Sequence, residues 1–270
     1  GLYAADVDIL KVLYLIKGID HIQAIPSNIA ALLLTRIDAE QNETAIKESL
    51  NRLEQTMFIE KHADGTYSFL SDEEQEINSE IRNVDVNAST IKANLAETFF
   101  TEMYNKAKFT NSKGFIFEYN KRFDNYSKSN MKYPLTMQVI TGSMSPAEAA
   151  LQSVEGQMVV YLNEELVAEA EEAIRLSEQI RRYVSAKRNP STTQAQHRIY
   201  DAKLASVDDY DKKAKELLAK SCESATFYIQ MQERTFRGSF EKQVNDAFEM
   251  LVQNTYKYLE YIDEPIPMKN

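Results

Sequence analysis

The sequence is poor in the residues on which several common classes of site depend. It has one cysteine and three histidines among 270 residues. A single cysteine, Cys222, excludes a disulfide within the chain, and its helical surroundings are typical of a small buried side chain. His21, His62 and His197 are far apart in sequence and show neither the i, i+4 spacing nor the cysteine pairing of a metal site. We therefore expect no metal centre.

Motifs for nucleotide binding and covalent catalysis are absent as well. A Walker A loop requires Gly-x-x-x-x-Gly-Lys before Ser or Thr, because backbone amides and a lysine surround the phosphates, and no segment fits it. With only seven glycines there is no Gly-x-Gly-x-x-Gly turn, and no Gly-x-Ser-x-Gly nucleophile motif occurs. The sequence therefore predicts no catalytic residue, no cofactor-binding residue and no small-molecule substrate.

Long apolar runs are also missing. None approaches the roughly 18 to 20 residues that a membrane span needs. The first residues lack the basic and apolar parts of a signal peptide. We therefore expect a cytoplasmic location and no membrane partner.

Positive charge is scarce in the first third of the chain. The formal net charge is -10, and residues 1–83 hold 15 acidic against 7 basic side chains. Residues 84–150 hold 6 acidic and 8 basic side chains, and residues 151–270 hold 20 and 16. Since phosphate backbones are bound mainly by cations, residues 1–83 are a poor non-specific binder of polyanions.

Residues 1–83 nevertheless carry the pattern of a winged-helix-like module, from Asp6 to Arg82. Apolar residues at helical spacing predict three helices, over 6–17, over 29–34 and from Asn42 onward. Two β-type runs follow, at 58–62 and 66–70, joined through Gly65. Three helices followed by a hairpin is the winged-helix order.

The rest of the chain predicts a small sheet with long helices. After a capping box at Ser71 and Glu74, which starts a further helix, the pattern indicates a long helix over 88–108. Strand-like runs lie at 114–123, 133–141, 156–162 and 225–230, and helices at 163–188, 193–220 and 240–255. The predicted fold is α+β and helix-rich. The predicted domains are 1–83, 84–162 and 163–270, the last packed with 84–162.

One segment combines basic and aromatic side chains. Between Lys106 and Tyr133, seven basic residues stand against two acids, and seven aromatic residues are interleaved with them. Such a mixture suits nucleic acid, since cations neutralise phosphates and aromatic faces stack bases. A strand with aromatics packed inward and lysines along its edge gives the same pattern and is the favoured reading. The candidate nucleic-acid contacts are Lys106, Lys108, Lys113, Lys121, Arg122, Lys128, Lys132, Tyr119 and Tyr126.

The third helix predicts what the winged-helix-like module contacts. A helix that reads the major groove presents Arg, Lys, Asn or Gln to base edges. This helix offers four such residues as a candidate docking surface: Asn42, Lys47, Asn51 and Arg52. It also carries Glu43, Glu48 and Glu54, which would repel phosphates. Contact with a protein is therefore favoured over direct contact with DNA.

Several stretches of the chain are similar to one known family. They are Asp8-Ile-Leu-Lys-Val-Leu-Tyr-Leu-Ile-Lys17, Ile46-Lys-Glu-Ser-Leu-Asn-Arg-Leu53, Tyr67-Ser-Phe-Leu-Ser-Asp-Glu-Glu-Gln-Glu-Ile-Asn-Ser-Glu-Ile81, Ala225-Thr-Phe-Tyr-Ile229 and Ala247-Phe-Glu-Met-Leu-Val-Gln-Asn-Thr-Tyr256. These stretches resemble BrxC, the large P-loop ATPase of BREX bacteriophage-exclusion systems.

The resemblance implies that the chain is an internal fragment, because the P-loop of that family has no counterpart here. It implies ATP and magnesium for the parent protein alone, and partners among the other subunits of a bacterial defence complex, a DNA methyltransferase included. We therefore expect a non-catalytic assembly or regulatory region whose acidic winged helix docks a protein. The alternative is a nucleic-acid-binding module that uses residues 106–133.

Overall fold

The protein is seen in a computed structural model that describes residues 2–19, 21–34, 43–127 and 132–261. The fold is α+β and helix-rich, as predicted. None of the helices in these ranges has the length and apolar character needed to cross a bilayer. The chain forms two compact units, which are unit 1, residues 1–85 with 176–213, and unit 2, residues 86–175 with 214–270. This grouping does not follow the predicted domains 1–83, 84–162 and 163–270, which stay a prediction.

Unit 1 begins with three helices and a hairpin. The helices are α1 (Ala4–Ile16), α2 (Pro26–Leu32) and α3 (Glu43–Gln55), followed by strands β1 (Ile59–Lys61) and β2 (Tyr67–Phe69) and by helix α4 (Asp72–Arg82). The strands are antiparallel, and Gly65 in their turn has a φ of 85°. The predicted order of elements is therefore confirmed, whereas its assignment to the winged-helix class stays a prediction.

Apolar side chains from each of these elements except α4 form one core. Its buried members are Ile9, Leu13, Ile29, Leu50, Leu53, Ile59 and Tyr67. Helix α3 buries the face that the sequence predicted, with Leu50 and Leu53 fully covered and Ile46 partly covered. The predicted capping box of α4 is present, because the Ser71 amide donates to Glu74 Oε2 at 2.7 Å and the Glu74 amide donates to Ser71 Oγ at 3.3 Å.

Two long helices, α7 (Glu164–Lys187) and α8 (Gln194–Glu223), are separated at the predicted break around Pro190. Residues 176–213 of this helical pair belong to unit 1. Gln179 of α7 donates through Nε2 to the backbone carbonyls of Arg82 and Val84, at 3.0 and 2.9 Å, and so satisfies carbonyl groups at the end of α4. Lys203 of α8 is only 6% exposed, and its Nζ donates to Glu60 Oε1 at 2.5 Å and to Asn78 Oδ1 at 2.8 Å.

Unit 2 is built on a mixed sheet. Its helices are α5 (Ala88–Thr98), α6 (Pro146–Leu151) and α9 (Phe240–Thr255), and its strands are β3 (Lys108–Thr110), β4 (Ile116–Phe123), β5 (Tyr126–Ser127), β6 (Leu135–Ile140), β7 (Gln157–Tyr161), β8 (Thr226–Ile229) and β9 (Gln232–Arg234). The strand order is β3-β4-β6-β7-β8-β9, with β5 paired to β4. Strands β4, β6 and β7 are parallel to one another, and the outer pairings are antiparallel.

The long helix predicted over 88–108 is wrong beyond Met103, and its last turn is not regular. Residues Phe99–Met103 form a π-helical turn, in which the Tyr104 amide donates a hydrogen bond to the Phe99 carbonyl at 3.0 Å. Lys108 is the first residue of strand β3. Phe99, Phe100 and Tyr104 are all buried. The ring centres of Phe99 and Phe100 lie 5.1 Å apart in an edge-to-face arrangement within this turn.

We expect the buried Lys203 cation to be essential to unit 1. Replacing it by Met leaves the Glu60 carboxylate, which is 13% exposed, without its cation. Removing one partner of a buried ion pair costs about 3 to 5 kcal/mol, and urea unfolding of Lys203→Met should show a loss of that order. Lys47→Met, at an exposed lysine of α3, is the matched control and should change little. The double change Lys203→Met with Glu60→Met should recover much of the loss, and a single-variant effect no larger than the control would contradict this role.

Candidate interaction surfaces

The solvent face of α3 carries two of the four predicted docking residues. Lys47 and Asn51 are exposed, and Lys47 Nζ lies 3.5 Å from Glu43 Oε2 one turn earlier. Asn42 lies outside the described residues. Glu48 shares the exposed face, so the surface mixes both signs of charge with an amide.

Arg52, the fourth predicted docking residue, has a structural role inside unit 1. Its Nη2 donates to Asp6 Oδ1 at 2.8 Å, and its guanidinium lies 4.9 Å from the centre of the Tyr3 ring. Asp6 is 1% exposed and its Oδ2 also accepts the Tyr3 amide at 3.1 Å. Burial alone would raise the pKa of Asp6, but the hydrogen bonds from Arg52 and Tyr3 outweigh it and lower the pKa below its usual value. Arg52 therefore neutralises a buried carboxylate and is not a free docking group.

The burial of Asp6 could have been predicted from its position in the helical pattern. Asp6 is in phase with the buried Ile9 and Leu13 of α1, so a carboxylate stands at a core-facing position. A buried carboxylate requires a cation or several hydrogen-bond donors. The sequence does not show that the partner comes from α3, because that depends on how α1 and α3 pack.

Three aromatic side chains of the basic and aromatic segment, Phe109, Tyr119 and Phe123, are buried in unit 2. The centre of the Phe248 ring in α9 lies 4.4 Å from that of Tyr119 and 5.3 Å from that of Phe109. Tyr119 is buried, its hydroxyl donates to the Lys106 carbonyl, and burial raises its pKa. Stacking a base on Tyr119 would require opening this core, so its predicted role in nucleic-acid contact does not fit its position. Tyr126 is 38% exposed on β5.

The basic residues of the same segment do not share one face. Lys121 and Arg122 are neighbours on β4 and therefore point to opposite sides of the sheet, and Lys121 Nζ lies 5.4 Å from the centre of the Phe100 ring. Two lysines have acidic partners, because Lys106 Nζ lies 2.7 Å from Glu241 Oε1 and Lys108 Nζ lies 3.1 Å from Glu118 Oε1. The remaining basic residues are Lys113 and Lys132, which are exposed, and Lys128, which lies outside the described residues.

A charged network that the sequence did not reveal lies where the parallel strands β4 and β6 end. Lys92 Nζ is 2.8 Å from Asp124 Oδ2, 2.5 Å from Glu171 Oε1 and 2.8 Å from Thr141 Oγ1. Asp124 also accepts from the Thr141 amide at 2.8 Å and from Ser143 Oγ at 3.2 Å. Burial would lower the pKa of Lys92, but the bonds to Asp124 and Glu171 outweigh it and raise that pKa.

The carboxyl ends of parallel strands are common places for ligands. In this network, however, the three donor positions of the Lys92 ammonium are taken by Asp124, Glu171 and Thr141. Within the described ranges, no three His, Cys, Asp or Glu side chains are placed to hold a metal ion. The network therefore ties α5 and α7 to the ends of the strands and has the character of an internal brace.

Comparison with known families identifies the chain. Residues 84–251 match the family described as "BREX ATP-binding protein BrxC 4th domain with six-stranded beta sheet". The chain belongs to the BrxC family of BREX proteins. Among the described residues the sheet of unit 2 has seven strands, and the six that follow one another from β3 to β9, without the two-residue β5, agree with the six-stranded sheet of that description. No solved structure matches the chain. Residues 1–83, with the predicted docking helix, lie outside the matched segment of this BrxC chain.

We expect the stability of the protein to depend on pH through Asp6. Because the pKa of Asp6 is lowered by folding, its stabilising effect is present above the unfolded value of about 4 and is lost as the pH falls below it. Asp6→Asn should therefore be less stable than the wild type at pH 7, and the difference should shrink as urea titrations are moved toward pH 3. Asp8→Asn, at an exposed position of the same helix, is the control. Equal stability of Asp6→Asn and wild type at pH 7 would contradict the assignment.

Proposed function

We propose that this chain is a non-catalytic assembly or regulatory region of a BREX ATPase. Its 270 residues contain no motif that binds nucleotide phosphates. The ATP binding named in the family description, with its magnesium, then belongs to another part of the parent protein. The partners are other subunits of the bacterial defence complex, in the cytoplasm.

We further propose that residues 1–83, as part of unit 1, dock one of these subunits through the solvent face of α3. The observation that carries this proposal is the charge of the module, with 15 acidic against 7 basic side chains. Such a surface repels polyanions and favours a protein surface with basic groups. On α3, Lys47, Glu48 and Asn51 are exposed while Leu50 and Leu53 hold the helix to the core. The docking side chains thus stand on a rigid element.

Nucleic-acid binding by residues 106–133 has weaker support. Two of the aromatic side chains that would stack bases, Phe109 and Tyr119, pack against Phe248, and two of the lysines already face acids. The phosphate backbone requires a continuous basic surface. The positions of Lys121 and Arg122 on opposite sides of β4 do not supply one.

Reversing charge on α3 should weaken docking. We expect Glu48→Lys with Asn51→Lys to reduce capture of the cognate BREX subunits by immobilised protein, because a basic partner surface would now meet two added cations. Both positions are exposed, so the fold should be kept and circular dichroism should be unchanged. Glu169→Lys, on the exposed face of α7 in unit 2, is the matched control.

The comparison should be made with the full chain, because residues 1–83 share unit 1 with residues 176–213 and their deletion would expose the core. Capture that is as strong for the α3 variant as for the wild type and the control variant would reject docking through this face. Loss of capture in the control variant as well would place the partner surface elsewhere.

A DNA titration tests the weaker alternative. We expect the chain to show no binding of labelled single- or double-stranded DNA at physiological salt tighter than the non-specific range, about 10⁻⁴ to 10⁻⁶ M. Binding that is tighter than this, that weakens as salt rises and that is lost in Lys121→Glu with Arg122→Glu would favour the nucleic-acid module instead.

A further inference from the structure

Helix α1 has a second apolar face, which points to solvent. Near the end of the helix, Tyr14 and Leu15 are 66% and 70% exposed, although the Tyr14 ring meets Phe69 edge-on at 5.9 Å, and Tyr3 and Val7 are exposed toward its start. The opposite side of the same helix holds Ile9 and Leu13, which are fully buried. The outer side of α1 thus keeps apolar side chains in water toward both of its ends, which makes it a candidate contact surface.

The outer face carries one pair of opposite charges. Asp8 and Lys11 lie near its middle, with Lys11 Nζ 2.8 Å from Asp8 Oδ1, and both side chains are more than half exposed. Small residues stand at one end of the face and large residues at the other, because Ala4 and Ala5 open the helix and Tyr14 and Leu15 lie near its close. On either side of the centre of the face, a small residue is thus matched by a large one, and a negative charge by a positive one.

We propose that this face binds α1 of a second copy of the chain in antiparallel orientation. The positions Ala4, Asp8, Lys11 and Leu15 are spaced by four, three and four residues, which is the seam spacing of paired helices. The twofold axis passes through the outer face of α1 at the level midway between residues 9 and 10. Ala4 of each copy then lies opposite Leu15 of the other, so each large side chain meets a small one.

The same register makes the charges complementary. Asp8 of each copy lies opposite Lys11 of the other, and a twofold axis repeats every such contact twice. A parallel pair would instead place like charges side by side. Asp8 and Lys11 are the charged residues among the four seam positions. Their arrangement therefore favours an antiparallel copy of the same helix over a parallel one.

The size of the face sets the strength of the contact. A helix of 13 residues is about 20 Å long, and one such helix per partner buries less than a standard interface of about 1,600 Å². The dimer should therefore be weak and dependent on concentration. The interaction does not rest on the docking function proposed above, because it uses the outer face of α1 and leaves the exposed face of α3 free.

Sedimentation velocity of the full chain tests the proposal. Between about 1 μM and 1 mM, the range of weak dissociation constants, the wild type should shift from monomer to dimer. Salt should be about 0.15 M, where a Debye length of about 8 Å screens the distant charges of the acidic module. Asp8→Lys alone and Lys11→Asp alone should each weaken the dimer about tenfold or more, because each places two like-charge contacts across the axis.

The charge-swapped double variant decides whether the register is right. Asp8→Lys with Lys11→Asp restores both opposite-charge contacts and should restore the dimer. Lys47→Glu, which breaks an exposed pair on α3, is the control and should dimerise like the wild type. A chain that is monomeric throughout the range overturns the proposal. So does a dimer that the single reversals leave unchanged, or one that the double variant fails to restore.

Discussion

The packing of Phe248 against the aromatic side chains of β3 and β4 determines how the middle of the chain can be used. Aromatic pairs are worth more than their buried area alone, and Phe248 meets three such rings at once, those of Tyr104, Phe109 and Tyr119. This cluster turns the aromatic face of β4 inward. Lys121 lies on the same side of β4 as Tyr119, with its Nζ 5.7 Å from the centre of that ring, and Lys108 lies on the edge strand β3. Because Tyr119 and Phe109 are buried against Phe248, these rings do not offer these lysines the free stacking faces that single-stranded nucleic acid requires.

Three charges are held inside the two units, and each has a partner from a distant part of the chain. These are Asp6, paired with Arg52, Lys203, paired with Glu60, and Asp124, paired with Lys92, which also contacts Glu171. A buried ion pair adds little stability over apolar packing, but the loss of one partner is costly. Displacing one of the helices or strands that carry such a pair would separate its charges, and that separation is unfavourable. Lys92 of α5 and Lys203 of α8 therefore hold their helices in place, because their ammonium groups are already bound to carboxylates.

Much of the fold could be predicted from the sequence because it depends on local signals. The period of apolar residues indicated the long helices and the central strands, and the hydroxyl and carboxylate of Ser71 and Glu74 marked the start of α4. Short elements such as β3, β5, β9 and α6 were missed, since three to six residues are too few to show a period. The π-helical turn at Phe99 was missed because the apolar spacing of residues 91–103 fits a regular helix equally well.

The candidate sites were less predictable, because the type of a residue does not show which residues lie next to it in the folded chain. Arg52 and Lys47 look alike as basic residues of one helix, but only Arg52 faces the buried Asp6. The same limit applied to Tyr119 and Tyr126, of which one is in the core and the other is partly exposed. In each pair, tertiary packing decides which residue is free to bind a partner.

Helix α1 shows the reverse situation, in which a strong local signal conceals a surface. Apolar residues at helical spacing correctly predicted a helix that packs on the core. The sequence did not show that other apolar residues of the same helix, such as Tyr14 and Leu15, stay exposed. The exposure of Tyr14 and Leu15 shows that one helix carries two apolar faces, of which the fold of unit 1 uses only one. Leaving such a face in water is unfavourable by roughly 25 cal/mol for each Å² of apolar surface. The acidic module thus keeps exposed apolar side chains on α1, toward both ends of an exposed charge pair.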